Sequence, residues 1–153
     1  MKEFDYDLNY KELDFTDEET RQLYRIGRGE QGVLLVRPYT NDICAHWRFK
    51  TPEIAVKSSN KIYSMYLDYR DNKDFIGMDM CRKFLEMGFT RSRRYANHRT
   101  GKKYDDEGNV RPQEPDHATC HFAKSATIFK QTRDVVAKSE PYVTMRKQWR
   151  SNE

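Results

Sequence analysis

The sequence has little of several features that would define a protein class. Its three cysteines form no C-x-x-C pair, so they predict neither a disulfide framework nor a familiar zinc module. No apolar run approaches the roughly 18–20 residues of a membrane span, and the first residues lack the apolar core of a signal peptide. We therefore expect a soluble cytoplasmic protein that does not bind a membrane.

Aliphatic side chains are also scarce. Hydrophobic residues make up 37% of the 153 residues, charged residues make up 34%, and the mean hydropathy is −1.03. The shortage is offset by ten tyrosines, eight phenylalanines and two tryptophans, because each ring buries a large area. This composition is not typical of a disordered chain, so we predict a single folded domain over residues 1–153.

Charge is distributed unevenly along the chain. Residues 1–20 carry two basic and eight acidic residues and a net charge of −6, whereas the other 26 basic and 16 acidic residues give +10. This asymmetry indicates a basic body that could bind a polyanion, joined to an acidic aromatic arm. The arm could equally pack on the body and neutralise it, and both interpretations stay open.

Turn residues and charge runs divide the domain into successive parts. The densest run of basic residues precedes a loop that is rich in proline and acidic residues. The parts are the acidic aromatic arm (1–20), the core (21–104) with its basic segment (82–104), the loop (105–116) and the C-terminal helical part (117–153). No internal repeat or low-complexity segment interrupts this order.

Two short segments predict β-strands. Residues 33–36 are apolar and lie between a glycine cluster and Pro38, and residues 46–49 alternate polar and aromatic side chains. Helical periodicity dominates the rest of the chain. The predicted fold class is therefore α+β: a mostly helical single domain with a small antiparallel sheet in the N-terminal third.

Three long helices are predicted from capping residues and apolar spacing. The first has Thr51 as its N-cap, a proline at the next position, and an end near Tyr69. The second ends at Gly88, a natural C-cap. The third begins after Asp116 and ends at residues 140–141, beyond which we expect one or two further helical turns.

The glycine string Gly27-x-Gly29-x-x-Gly32 has the spacing of a phosphate-binding motif. In a dinucleotide-binding fold the string follows a strand and opens a helix, whereas here the apolar run comes after it. The favoured interpretation is a turn whose glycines adopt positive φ. The alternative is a phosphate-cradling loop formed by Gly27, Arg28, Gly29 and Gly32.

Histidine and cysteine residues cluster once on a predicted helix. His117, Cys120 and His121 share one helical side, and Cys44 and His46 could approach them from elsewhere. Zinc needs about four such ligands, but no spacing here matches a known zinc module. We interpret the histidines as packing residues. We predict no metal, no cofactor and no catalytic residue, and leave enzymatic activity open.

The most distinctive stretch interleaves basic and aromatic residues after Gly88. Arginine and lysine neutralise phosphates, aromatic rings stack on bases, and Asn or His side chains bond to base edges. The alternative is a solvated face paired with the acidic arm. The candidate nucleic-acid-binding residues are Arg91, Arg93, Arg94, Tyr95, Asn97, His98, Arg99, Lys102, Lys103, Trp47 and Arg48.

Three blocks of sequence resemble one protein family: residues 23–33 (LYRIGRGEQGV), 46–55 (HWRFKTPEIA) and 77–98, which begin GMDMCRKFL and end YANH. The family is an uncharacterised domain of unknown function found in phages of cyanobacteria and in some bacteria and fungi, often labelled only a cytoplasmic protein. The resemblance implies a single-domain cytoplasmic protein, located in the host cytoplasm if a phage encodes it. It transfers no activity, cofactor or catalytic residue.

These patterns favour three functions from different classes. The first is nucleic-acid binding through the Arg/Lys/Tyr-rich segment, with DNA and RNA left open. The second is an interaction protein that binds and modulates a host protein through its acidic aromatic arm or its basic face. The third is an enzyme or binder of a phosphorylated small molecule that uses the glycine string. Salt-dependent affinity for nucleic acid would favour the first.

Overall fold

The computed structural model describes residues 2–153, and over these residues the fold is helical. The helices are α1 (Glu18–Arg21), α2 (Tyr39–Cys44), α3 (Pro52–Asp71), α4 (Phe75–Asn97), α5 (His121–Lys138) and α6 (Glu140–Ser151), with a 3₁₀ turn at Tyr10–Glu12. The one β-type pairing in this range is an isolated antiparallel bridge between Tyr104 and Val110. The predicted α+β class and its antiparallel sheet in the N-terminal third are therefore wrong.

Residues 33–36 form turns rather than a strand. Val33 and Val36 are buried three positions apart, whereas Leu34 between them is 48% exposed. Burial at every third position is typical of helical turns, since a strand buries every second side chain. The Thr40 hydroxyl in α2 accepts a hydrogen bond from the Val36 amide and donates one to the Val33 carbonyl. These backbone groups therefore need no partner strand.

Residues 46–49 continue from α2 as an irregular segment without a partner strand in the described range. Their predicted alternation is present, because Trp47 and Phe49 are partly buried against the core and Arg48 is exposed. Their backbone is bound to α3 instead. The Ser58 hydroxyl accepts from the Arg48 amide (3.0 Å) and donates to the His46 carbonyl (2.7 Å). One buried serine thus replaces the predicted neighbouring strand.

The ends of the other helices follow local capping only in part. The first predicted long helix is confirmed as α3, where the Thr51 hydroxyl accepts from the Ile54 amide (3.2 Å). Helix α5 begins later than predicted, at His121, because Cys120 has an extended backbone (ψ 169°) that separates α5 from the turn after Asp116. Pro141 stands in the first turn of α6, where proline is tolerated, so α6 follows α5 almost without a break.

The prediction that a helix ends at Gly88 is wrong, because α4 continues to Asn97. Gly88 is a packing residue rather than a C-cap. A Cβ atom added there would lie 2.4 Å from Phe129 Cδ1, so only glycine lets α5 approach α4 this closely. Helix α4 is the central element and packs against α2, α3, α5 and α6. No helix in residues 2–153 is long and apolar enough to cross a membrane.

The acidic aromatic arm packs on the body of the domain. Phe4, Tyr10 and Phe15 are buried, with successive ring centroids 5.4 and 5.9 Å apart. Gly32 has positive φ and makes room for Phe4, because an added Cβ atom would lie 2.1 Å from Phe4 Cζ. Within the described residues, no hydrogen bond or ion pair joins the arm to residues 91–103. The arm therefore folds back without pairing with that basic stretch.

Candidate functional site

The predicted basic segment includes the last turns of α4, where several side chains have intramolecular partners. Arg93 donates to the Asn97 side chain (2.6 Å) and to the His117 carbonyl (3.0 Å). Arg99 forms an ion pair with Asp116 (2.9 Å). These contacts attach the end of α4 to the chain that precedes α5, so Arg93, Asn97 and Arg99 hold the structure together.

The other predicted residues of this segment differ in their surroundings. His98 is buried, and the Lys103 ammonium lies 5.6 Å from the centroid of its neighbour's ring, Tyr104. Three exposed side chains have no ion pair or hydrogen bond with any residue in the described range: Arg91, Arg94 and Lys102. The segment is therefore divided between free cations and residues that already have partners.

The glycine string forms a loop whose carbonyl groups face cations. The Gly27 carbonyl accepts from Arg150 (2.8 Å), and the Gly29 carbonyl accepts from Arg82 (3.0 Å). A phosphate-cradling loop instead presents several amide N–H groups to its ligand. The carbonyl groups of this loop thus bind the protein's own cations.

Several donors of the same loop also have partners. The Arg28 amide donates to the Gln31 side chain (2.9 Å), and the Gly32 amide donates to the Tyr6 hydroxyl (3.2 Å). The Arg28 guanidinium pairs with Glu3 of the arm (3.0 Å). The loop and the arm are therefore connected at several points, and phosphate binding by this loop stays a prediction.

A buried ionic cluster lies beneath the loop. Asp79 on α4 accepts hydrogen bonds from the Tyr24 hydroxyl, the Tyr142 hydroxyl (2.6 Å) and Arg82 Nε (2.8 Å). Burial by itself raises the pKa of Asp79, but the charges of Arg82 and Lys83 and these hydrogen bonds outweigh burial and lower the pKa to about 2. The carboxylate is therefore ionised at neutral pH.

Lys83 belongs to the same cluster. Its ammonium donates to the Gln31 carbonyl (2.6 Å) and lies 4.9 Å from the Phe4 ring centroid and 4.8 Å from that of Tyr24. Burial lowers the pKa of Lys83 to about 7, against the opposing effect of Asp79 at 3.9 Å. The Lys83 and Asp79 side chains are both 0% exposed, so we assign this ion pair a structural role.

The predicted histidine–cysteine cluster is only partly buried. Cys120 is buried, His117 is half-buried, and the His121 ring lies 4.2 Å from the Phe122 ring, centroid to centroid. Residues 2–153 contain no group of three or more His, Cys, Asp or Glu side chains that could hold a metal ion. Because His121 is exposed, the interpretation of the histidines as packing residues stays a prediction.

Four aromatic rings line a surface that we call the aromatic groove. The Phe49 ring lies 5.1 Å from Trp47 and 5.7 Å from Tyr95, and the Tyr95 ring lies 5.5 Å from Phe122. The groove has a volume of about 880 Å³ and is lined by Cys44, Trp47, Arg48, Phe49, Lys50, Ile54, Tyr95 and Phe122. It brings rings from three separate parts of the chain next to two basic side chains.

A second surface, the basic cleft, continues from the aromatic groove. Its volume is about 410 Å³, and it is lined by His46, Arg48, Ile54, Lys57, Ser58 and Lys61. Lys57 and Lys61 lie one turn apart on α3, are exposed, and have no ion pair with any residue of the described chain. No acidic residue is among the described residues that line either surface. The combined surface is aromatic at one end and positively charged at the other.

The sequence identified only part of this combined surface. Trp47, Arg48 and Tyr95 were among the predicted binding residues, and the structure brings them together. The residues that the sequence reasoning missed are Phe49, Lys50, Ile54, Lys57, Lys61 and Phe122. Lys57 and Lys61 had a usable signal, since they lie four residues apart in the helix that Thr51 caps. Phe122 had none, because only the packing of α5 beside α4 places it near Tyr95.

Comparison with known proteins connects the chain to one family. The family model described as Domain of unknown function (DUF4385) matches residues 5–152, which is nearly the whole chain. No curated protein and no solved structure matches the chain. The match covers all three blocks on which the sequence resemblance rested. The resemblance is therefore confirmed, and the chain belongs to the DUF4385 family, a domain of unknown function.

Proposed function

We propose that this protein binds single-stranded nucleic acid with the aromatic groove and the basic cleft. The observation that carries the proposal is their continuity through Arg48 and Ile54, which line both. Proteins that bind single strands combine rings that stack on bases with cations that follow the backbone. The combined surface supplies both features side by side.

The rings of the aromatic groove are arranged so that they do not cover one another. The Tyr95 ring is tilted by 41° to Phe49 and by 31° to Phe122 rather than stacked flat on either. The rings line a groove of about 880 Å³, which has room for a base, and each stacked base contributes about 1–3 kcal/mol to such complexes. Stacking of this kind needs an unpaired base, so it favours a single strand over a duplex.

The cations around the groove support contacts to phosphates. Arg48 and Lys50 line the groove, and Lys57 and Lys61 continue along α3. Each phosphate that they neutralise releases counterions. For a single strand, each such contact makes the slope of log affinity against log salt concentration more negative by about 0.7. Arg91, an exposed member of the basic segment, lies one turn before Tyr95 on α4 and adds a further positive charge.

The test is fluorescence anisotropy of labelled single-stranded RNA and DNA, and of their duplexes, between about 50 and 200 mM salt. We expect the single strands to bind more tightly than the duplexes. Lys57→Gln/Lys61→Gln should weaken binding and flatten the salt slope by about 1–2. Tyr95→Leu should weaken binding with little change in slope, because it removes stacking and no charge.

The matched control is Lys130→Gln/Lys138→Gln, which removes two charges from exposed positions of α5. These positions lie about 12 and 24 Å along the helix from Phe122 at 1.5 Å per residue. The control should bind nearly as the wild type does. Equal weakening by both double variants, or no binding at low salt, would overturn the proposal. The aromatic groove would then be a candidate site for apolar side chains of a protein partner.

A further inference from the structure

We propose that a cleft between α4, α5 and α6 binds an oligophosphate, that is, two or more linked phosphate groups. The cleft has a volume of about 480 Å³, which is within the range of small-molecule sites. Its charged lining residues are Arg82, Glu86, Arg133, Asp134, Arg146 and Lys147. Four cations and two acids therefore face one small space, which we call the phosphate cleft.

Arg82 provides a guanidinium that is already held in place. Its Nε donates to Asp79 (2.8 Å) and its Nη1 donates to the Gly29 carbonyl (3.0 Å), while only 12% of the side chain is exposed. Its Nη2 has no hydrogen-bond partner among residues 2–153. Since the two contacts fix the side chain, binding an anion through Nη2 costs little further conformational entropy.

Arg133 contacts both acidic residues of the phosphate cleft. It pairs with Glu86 (2.6 Å) and with Asp134 (2.8 Å), so the two carboxylates share one counterion and the other three cations give the cleft its positive charge. The Arg133 guanidinium also lies 5.2 Å from the Phe89 ring centroid. These contacts hold the carboxylates against a fixed arginine, which limits their repulsion of an incoming anion.

Arg146 and Lys147 supply the unpaired charge. They are neighbours on α6, and neither side chain has an ion pair or hydrogen bond with another residue of the described chain. A ligand with a single negative charge would engage only one of these cations. A chain of phosphates presents several oxygens a few ångströms apart, so it can contact Arg82, Arg146 and Lys147 together.

The phosphate cleft is separate from the proposed nucleic-acid surface. Arg82 lies 13 positions before Tyr95 on α4, and Arg133 lies 11 positions after Phe122 on α5. At 1.5 Å per residue these separations are about 20 and 16 Å along the helices. The two sites therefore lie toward opposite ends of the α4–α5 pair, and variants can remove charge from one without touching the other.

The test is isothermal titration calorimetry of inorganic tripolyphosphate into the full chain at about 50 mM salt. We expect Arg146→Gln/Lys147→Gln to weaken binding at least about tenfold, because two charge-assisted contacts are lost. Lys57→Gln/Lys61→Gln, which removes the same charge from the basic cleft, should bind tripolyphosphate as the wild type does. ATP should displace tripolyphosphate, since it carries the same three linked phosphates.

Several outcomes would overturn the proposal: no heat with the wild type, equal weakening by both double variants, or no competition by ATP. The melting temperature of each variant serves as the folding control, and it should not change because neither Arg146 nor Lys147 has a partner in residues 2–153. For single-stranded RNA we expect the reverse order of affinities: Lys57→Gln/Lys61→Gln should bind RNA more weakly than Arg146→Gln/Lys147→Gln does. Failure of one proposal is therefore distinguishable from failure of the other.

Discussion

The hydroxyl group of Tyr142 on α6 donates a 2.6 Å hydrogen bond to the carboxylate of Asp79 on α4, and both side chains are buried. The same carboxylate accepts a hydrogen bond from Tyr24, which precedes α2 in the chain. One buried charge therefore connects an early segment, the central helix and the last helix. The stability of the fold should depend strongly on this charge.

Asp79→Asn should destabilise the protein by about 3–5 kcal/mol, because it leaves Arg82 and Lys83 buried without their counterion. Urea unfolding at pH 7 measures the change in the free energy of unfolding. Asp68→Asn on the exposed side of α3 is the matched control and should change stability by less than about 0.5 kcal/mol. A similar loss of unfolding free energy in both variants would contradict the claim that stability depends strongly on the buried Asp79 charge.

Stability should rise with pH from about pH 7 to about pH 8, below the range in which the raised pKa values of the Cys81 thiol and of the buried tyrosines make it fall with pH. Burial lowers the pKa of Lys83 from 10.5 to about 7, so the unfolded chain binds more protons than the folded chain in this window. Lys83→Met should reduce the slope by up to about 1.4 kcal/mol per pH unit. Urea unfolding across the window checks this, with exposed Lys130→Met as the control that leaves the slope unchanged.

Gly88→Ala should destabilise the protein by about 2 kcal/mol, because the new Cβ atom would press on the buried Phe129 ring. The cost should exceed the roughly 1 kcal/mol that alanine gains over glycine within a helix. A double-mutant cycle with Phe129→Leu isolates the contact. We expect a coupling energy of at least about 1 kcal/mol, and additive effects would mean that the two residues do not limit the approach of α5 to α4.

Two neighbouring arginines of the basic segment should behave differently. Arg93→Ala removes hydrogen bonds to Asn97 and to the His117 carbonyl, so it should lower stability by about 1–3 kcal/mol. Arg94→Ala should leave the melting temperature unchanged, because Arg94 is exposed and has no partner in the described range. Thermal unfolding of the two single variants compares them directly, and equal melting temperatures would contradict this assignment.

Local patterns were sufficient for some elements and misleading for others. Thr51 predicted the start of α3 because a capping side chain acts within its own turn. Gly88 was misread because its role depends on Phe129, which is distant in sequence. Residues 33–36 were misread for a similar reason, since an apolar run fits a strand or a turn equally well until a partner is known. The Thr40 hydroxyl satisfies their backbone, and no strand forms.

The candidate site also combines residues that the sequence could indicate with residues that only distant contacts bring in. Trp47, Arg48 and Tyr95 could be selected from composition alone, because aromatic and basic residues are the types that nucleic acid requires. Their grouping with Phe122 required the antiparallel packing of α5 on α4. Composition did not show which cations are free either, because Arg93 and Arg94 are adjacent arginines and only Arg93 bonds to the distant His117 carbonyl.

The sequence by itself determined an aromatic-rich composition, capped helices, an acidic arm and a basic remainder, because composition, caps and charge are properties of residues or of one helical turn. Only the tertiary structure decided that residues 2–153 form no sheet, that the arm folds back, and which cations of this range stay free. Those outcomes depend on contacts between residues far apart in the chain. The free energy of such contacts comes from burying apolar surface and pairing polar groups. A local sequence pattern does not specify which distant residues will be buried or paired together.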